Sequence, residues 1–216
     1  MLASLVLKDA MLVRWRVLVG AAFVVFVFVV SGQLSLMNGA WIHVATWMVM
    51  GQAAMVEEKS RAEVLLGTLP LSRRQIVVGR YLSVVTCAVA LLVLSSTGMV
   101  AAAVALQRPL VAVRLAPFAC VGLGMTLVFW AVAIPLLAHY GVTRAQMPLR
   151  FAMVLTMLAP GLLIQASTAF PATAGFVQWL ARQPSWWLAG SGAVLGVLLA
   201  LASYPLAAYL YERRDL

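Results

Sequence analysis

Charge is what this sequence has least of. Only six of its 216 residues are acidic and fifteen are Lys or Arg, so charged residues make up 10% of the chain. Soluble domains usually contain about 25%. Hydrophobic residues account for 64% of the chain. This balance excludes an ordinary soluble domain and indicates a membrane protein.

Motifs for energy conversion and catalysis are also missing. The chain has no GxxxxGK followed by Ser or Thr, the pattern of a loop that holds ATP phosphates. It has no HExxH zinc motif, because Val44 and Tyr140 follow the two histidines. Ser191, which stands between two glycines, is too loose a pattern to indicate an intramembrane hydrolase. We therefore expect a protein that is not an enzyme, has no ATPase site of its own and uses no cofactor or metal.

Cysteine is scarce, and the positive charge is not gathered as nucleic-acid binding would require. Cys87 and Cys120 lie in apolar stretches and match neither a disulfide framework nor a metal-ligand spacing. The net charge is +9, but the basic residues stand in short segments beside apolar runs, where they set membrane topology. We expect no nucleic-acid partner.

The apolar runs are long enough for six membrane spans. A span needs about 20 mostly apolar residues, and the long uncharged run from residue 17 to residue 56 divides at the turn formers SGQLSLMNG. The predicted spans are residues 17–36, 39–56, 77–106, 111–139, 149–170 and 186–211. We predict an all-α polytopic membrane protein with a single transmembrane domain over residues 1–216. Gly192 and Gly196 form a GxxxG pair that would let another helix approach closely.

The basic residues predict the orientation of these spans. Twelve Lys and Arg residues fall on the side that holds both termini, and three fall on the other side, namely Arg108, Arg114 and Arg182. The positive-inside rule therefore places both termini in the cytoplasm. Residues 1–16 fit either an interfacial helix or the beginning of the first span.

The predicted outer connection at residues 171–187 is rich in apolar and aromatic side chains. Trp179, Trp186 and Trp187 favour the depth of the lipid headgroups. The segment is expected to lie at the outer interface, either as part of a plain aromatic belt or as a short re-entrant helix.

One charged segment, residues 57–76, separates the second and third spans on the predicted cytoplasmic side. Glu57 precedes Arg61 by four positions and Lys59 precedes Glu63 by four, a spacing that supports continuation of the second span as a helix. Ser72 with Gln75 three positions later is the pattern of a capping box, which predicts a new helix leading into the third span.

Between these two helices lies an apolar cluster, formed by Val64, Leu65, Leu66, Leu69 and Leu71. Such a cluster is unfavourable in water unless it is covered. It therefore packs on a protein partner, on the bilayer surface or on the inner ends of neighbouring spans.

An LKD triplet before the first span and the pattern EKxRxExLLxxLPLSRRQIVxxRYL at residues 58–82 carry a family resemblance. Together they resemble the permease subunits of bacterial ABC type 2 exporters, most specifically in the LPLSR core. The resemblance implies two six-span permease subunits, identical or homologous, and a separate ATP-binding cassette ATPase subunit. It also implies a coupling helix between spans two and three and a re-entrant link between spans five and six.

The ATPase contact implied by this resemblance falls on the bend of the charged segment. The residues expected there are Leu66, Leu69, Pro70, Leu71, Ser72, Arg73, Arg74 and Ile76.

We interpret the chain as the permease subunit of an ATP-driven exporter in the bacterial inner membrane, in contact with membrane lipid. Uncharged spans suggest an amphiphilic or apolar substrate, such as a peptide, lipid or drug. His43, in the second span, is the candidate for the substrate path, or else a histidine satisfied by a neighbouring carbonyl or water.

Two other hypotheses stay open: a partner-free secondary carrier or flippase, and a membrane anchor or assembly protein without transport. An ion-driven carrier normally has ionisable groups within its spans, whereas all six acids of this chain lie in predicted cytoplasmic segments.

Overall fold

A computed structural model of the chain describes residues 2–31, 36–60, 72–107, 115–169, 175, 178–179 and 182–213. These residues form helices and turns and contain no strand, which confirms the predicted all-α class. The helices are α1 (Leu2–Ser31), α2 (Leu36–Lys59), α3 (Arg73–Ala105), α4 (Leu115–Ala169) and α5 (Ser185–Glu212). Residues 2–16 continue directly into the first predicted span, because α1 is one uninterrupted helix.

Three helices of the described part are long and apolar enough to cross a membrane. They are α3, the Leu115–Leu158 part of α4, and α5. The α4 part contains 44 residues, about twice the number that one span requires. The chain is therefore an apolar helical protein with membrane-spanning segments, while the six-span count and the position of the termini stay predictions.

Helix α4 doubles back on itself at Gly141, whose φ of 75° and ψ of 170° are non-helical. The rings of Phe129 and His43 have centroids 4.9 Å apart, and Thr156 Oγ1 lies 3.4 Å from Nε2 of the same histidine. In a straight helix residues 129 and 156 would be about 40 Å apart. The two arms, residues 115–140 and 142–169, therefore fold against each other as a helical hairpin.

This hairpin shows how the fourth and fifth predicted spans are connected. Residues 140–148 lie between the two predicted spans, and in the structure both helices continue into them and reverse at Gly141. The reason is local. Glycine adopts positive φ without a steric penalty, and the Glu58 carboxylate accepts a 2.8 Å hydrogen bond from the Thr143 backbone N–H, one of the unpaired groups at the start of the second arm.

Contacts along the bundle give the direction of the first three helices. Gly20 of α1 packs against Leu91, and farther along α1 Val25 packs against Gly98, so α1 and α3 are parallel. Gly20 also faces Ala45 of α2, whereas the Phe23 ring meets Trp41 with centroids 5.5 Å apart. Helix α2 is therefore antiparallel to α1.

Helix α5 runs antiparallel to α3. The first turn of α3 is bound to Glu212 at the end of α5. Two turns later, the hydroxyl oxygens of Tyr81 and Ser203 lie 2.6 Å apart. The beginnings of α1, α3 and the second arm of α4 thus lie at the same end of the bundle as the ends of α2 and α5. We call this the charged end, defined by residues 57–60, 72–80, 141–144 and 211–213.

Two glycines let the first arm of α4 fit between α2 and α5. A methyl group on Gly122 would lie 2.9 Å from the Gly39 carbonyl oxygen of α2, and one on Gly124 would lie 2.9 Å from the Gly192 backbone of α5. Residues two apart on a helix point in nearly opposite directions, because each residue turns about 100°. A methyl group on Gly196 would likewise lie 2.9 Å from the Gly124 carbonyl oxygen. The close approach predicted for the GxxxG pair is therefore found within the chain.

The core of the bundle is apolar, and so is much of its outside. Val24, Ile42, Leu91 and Phe118 are almost completely buried, each no more than 1% exposed. Many outward-facing side chains, such as Phe26 and Val104, are also large and hydrophobic. A helix that is apolar on all sides suits a lipid environment rather than water.

Candidate functional site at the charged end

The charged segment joins α3 at Ser72, the residue that caps this helix. The Ser72 hydroxyl accepts a 3.3 Å hydrogen bond from the Gln75 backbone N–H. The Ser72 backbone N–H donates to Gln75 Oε1 at 3.0 Å. Both halves of the predicted capping box are thus present and fix the direction in which the segment enters the third predicted span.

The two arginines that follow bind the last turn of α5. Arg73 Nη1 donates to the Glu212 carbonyl oxygen at 2.7 Å and to that of Tyr211 at 3.4 Å. Arg74 Nε donates to Glu212 Oε1 at 2.8 Å. The hydrogen bond and the negative charge of Glu212 raise the pKa of the Arg74 guanidinium. Cations at a helix carboxyl end also interact favourably with its unpaired carbonyl groups and its dipole.

On the other side of the charged segment, the end of α2 is tied to two helices. Glu57 Oε2 lies 3.9 Å from Arg80 Nη2 of α3, and the two side chains are only 14% and 21% exposed. The neighbouring Glu58 accepts the backbone hydrogen bond of Thr143 at the start of the second arm of α4. The described ends of the segment therefore contact α3, α4 and α5.

The described part of the predicted ATPase contact divides into exposed and buried residues. Ser72, Arg73 and Arg74 are exposed, whereas Ile76 is 5% exposed and packs in the core. The other predicted contact residues, Leu66, Leu69, Pro70 and Leu71, lie outside the described residues, as do Arg61 and Glu63 of the predicted helical pairs. The contact as a whole stays a prediction.

His43 is completely buried at the junction of α2 with both arms of α4. Besides its contacts with Phe129 and Thr156, its Nδ1 has no hydrogen-bond partner within the described ranges. The structure therefore gives His43 a packing position, and direct contact with a substrate would require the arms of α4 to separate from α2. Its predicted place on a substrate path stays a prediction.

The sequence family follows from a comparison with known proteins. The family described as ABC-2 family transporter protein matches residues 4–212, nearly the whole chain. The chain belongs to the ABC-2 transporter family. No curated protein and no solved structure matched the chain.

Membership makes the chain a transport permease subunit, a multi-pass membrane component of an ABC transporter system. Members of the family are generally not catalytic themselves. Where the permease is described, no three His, Cys, Asp or Glu side chains lie close enough together to hold a metal ion. Its two cysteines are free thiols, with Cys87 buried and Cys120 partly buried.

The permease has a groove between α2 and the α4 hairpin, near the charged end. Its volume is about 190 Å³. The α2 wall is formed by Trp47, Met48, Gly51, Gln52, Ala54 and Met55. The α4 wall is formed by Trp130, Leu137, Val142, Gln146, Leu149 and Arg150. Met48, Gln52 and Arg150 are exposed at the rim, so the groove opens to the outside of the bundle.

Sequence reasoning identified the charged segment but not its partners. Glu212 lies more than 130 positions after Arg73 and Arg74, and Arg80 lies 23 positions after Glu57. Gly51 and Gln146, which line the groove, belong to no sequence motif. The available signal was that the acids at positions 57, 58 and 212 and the arginines at positions 73, 74 and 80 were all predicted on the same side of the membrane. Opposite charges confined to one side of a small bundle favour such pairing.

Proposed function

We propose that this permease subunit is driven by a separate ATP-binding cassette ATPase, which contacts residues 57–76 and couples ATP hydrolysis to export of an amphiphilic or apolar substrate. The proposal includes six membrane spans with both termini in the cytoplasm, residence in a bacterial inner membrane, and a second permease subunit, identical or homologous.

The observation that supports this coupling role is the set of hydrogen bonds and ion pairs at both ends of the charged segment. On one side of the segment, Glu58 binds the second arm of α4 and Glu57 lies beside Arg80. On the other side, Arg73 and Arg74 bind the end of α5. A partner that displaces the segment would therefore move the ends of four helical segments together, because packed interiors transmit displacement with little compression.

The leucines of the segment suit such a partner. Burying a leucine side chain at an interface contributes about 1.5–3 kcal/mol, whereas an exposed arginine mainly steers the encounter and sets specificity. We assign most of the ATPase affinity to Leu66, Leu69 and Leu71 and the orientation of the partner to Ser72, Arg73 and Arg74. Ile76 supports the contact from inside the bundle, where it is buried.

Pull-down of the tagged full-length chain from its native host tests the proposal. We expect an ATP-binding cassette subunit to co-purify, and the double variant Leu69→Asp with Leu71→Asp to weaken its binding at least about 100-fold, since two apolar contacts are lost. Leu106→Asp is the matched control, because Leu106 is an exposed leucine at the opposite end of α3.

Unchanged ATPase binding by the double variant, or an equal loss in the Leu106→Asp control, contradicts the coupling role of residues 57–76. Absence of any ATP-binding protein from the wild-type pull-down, with substrate movement that follows an ion gradient, would favour a secondary carrier.

A further inference from the structure

The groove between α2 and the α4 hairpin contains a cation that the described residues do not pair. Among the described residues, Arg150 is the only charged side chain that lines it, and no hydrogen bond or ion pair joins Arg150 to another of these residues. Arg150 lies about 10 Å from Thr143 along the second arm of α4, on the side away from the charged end. An arginine on the outside of a membrane bundle is costly unless an anion compensates it.

The groove also offers other hydrogen-bond donors beside apolar walls. Gln52 and Gln146 line it, as does Trp130. Trp130 is 5% exposed, and its indole Nε1–H has no acceptor among the residues that the structure describes. Trp47, Met48 and Met55 supply apolar surface along α2. A lining that combines one cation, further hydrogen-bond donors and apolar surface suits a ligand with an anionic head and a hydrocarbon tail.

We propose that this groove binds an anionic phospholipid of the surrounding membrane. The headgroup phosphate lies on Arg150, which can donate two parallel hydrogen bonds to phosphate oxygens, and the amides of Gln52 and Gln146 provide further donors. One acyl chain lies along Trp47 and Met48, on the side of Arg150 away from the charged end. Since the groove opens at an exposed rim, the lipid can enter sideways from the bilayer. This binding does not depend on the direction or energy source of transport.

A free inorganic anion is a poorer occupant, because it would leave the apolar walls of the groove uncovered. A second copy of the chain would have to bring an acidic group to Arg150, and three of the six acids, Glu57, Glu58 and Glu212, already hold hydrogen-bond or ion-pair partners. Charge complementarity therefore favours the lipid.

Native mass spectrometry of the detergent-solubilised full-length chain tests the role of the cation. Dioleoyl phosphatidylglycerol and dioleoyl phosphatidylcholine are titrated separately. We expect wild type to retain the anionic lipid about tenfold more tightly, the difference that one charge-assisted hydrogen bond produces. Arg150→Gln should remove this preference. Arg144→Gln is the matched control, since Arg144 is an exposed arginine of the same arm that does not line the groove.

A second pair of variants tests the location. A methyl group on Gly51 would meet nothing within 4 Å, and the same is true of Gly190 in α5. Gly51→Leu therefore fills the groove without a clash at its Cβ, and we expect it to reduce retention of both lipids at least fivefold. Gly190→Leu adds the same volume elsewhere and should leave retention unchanged. Circular dichroism verifies that each variant remains helical.

Several outcomes would overturn the proposal. Equal losses in Arg150→Gln and Arg144→Gln would indicate non-specific attraction to the basic chain. Displacement of the lipid by millimolar inorganic phosphate would identify a simple anion site. Loss of a dimer signal in Gly51→Leu, with lipid retention unchanged, would show that a second copy covers the groove.

Discussion

At the scale of single residues, Glu58 caps the helix that follows the reversal at Gly141. The second arm of α4 begins with backbone N–H groups that have no partner in their own helix. One of them, on Thr143, donates to the Glu58 carboxylate at 2.8 Å. A carboxylate at this position also interacts favourably with the positive end of the helix dipole. The end of α2 therefore supplies the cap of a helix more than eighty residues later in the chain.

Replacing Glu58 by Ala removes this cap, and we expect it to lower the free energy of unfolding by about 1 kcal/mol, the usual contribution of an N-cap side chain. The melting temperature of the purified chain in detergent measures the effect. Lys59→Ala is the control, since Lys59 is the exposed neighbour. A shift in Lys59→Ala as large as that in Glu58→Ala would argue against the cap.

The charged segment contains one contact that local sequence predicts and one that it does not. Ser72 and Gln75 are three positions apart, so their capping box could be predicted and is confirmed. The ion pair of Glu57 with Arg80 joins residues 23 positions apart on different helices. No spacing rule for a single helix reaches that far, because such rules apply within about one turn.

At the scale of helices, the position of the first arm of α4 is set by an absence of side chains. Gly122 faces α2 and Gly124 faces α5, each with backbone atoms 2.9 Å from where a methyl group would lie. Membrane helices gain stability mainly through such close packing, since lipid is as apolar as the helix surface. The two glycines therefore determine the spacing of three neighbouring helices.

Gly124→Val forces side-chain atoms into the backbone of α5. We expect a loss of about 1–3 kcal/mol, the usual cost of overpacking a core, and a lower melting temperature in detergent. Gly190→Val provides the comparison, because a methyl group there meets nothing within 4 Å. If both variants had the melting temperature of wild type, the two helices would not be in close contact at Gly124.

At the scale of the whole molecule, the ties at the charged end join helices that are distant in sequence. Glu57 and Glu58 connect the end of α2 to α3 and to the beginning of the second arm of α4. Arg73 and Arg74 connect the beginning of α3 to the end of α5. Under the proposed function, this end is where an ATPase subunit would apply force. The same arrangement requires that all these segments lie on one side of the membrane.

Cysteine labelling in intact cells tests that arrangement. In a background with Cys87→Ala and Cys120→Ala, we expect Gln107→Cys to react with a membrane-impermeant maleimide and Ser60→Cys to react only after permeabilisation. Ser60 and Gln107 are both exposed and lie at opposite ends of the bundle. Labelling of Ser60→Cys in intact cells would place the charged end outside and contradict both the orientation and the coupling proposal.

The sequence by itself determined the class of this protein. Apolar runs and scarce charge are properties of composition and length, so they indicated an all-helical membrane protein without any knowledge of contacts. The capping box at Ser72 and the family resemblance of residues 58–82 also depend on neighbouring residues alone, and the structure and the comparison agree with them.

Only the tertiary structure decided which helices meet. The reversal at Gly141, the pairing of Arg73 and Arg74 with the end of α5, and the groove beside Arg150 depend on residues that are far apart in the chain. Almost every face of these helices is apolar, so hydrophobic periodicity could not identify the buried side. That choice was made by small residues that permit close approach and by the few polar groups that needed partners.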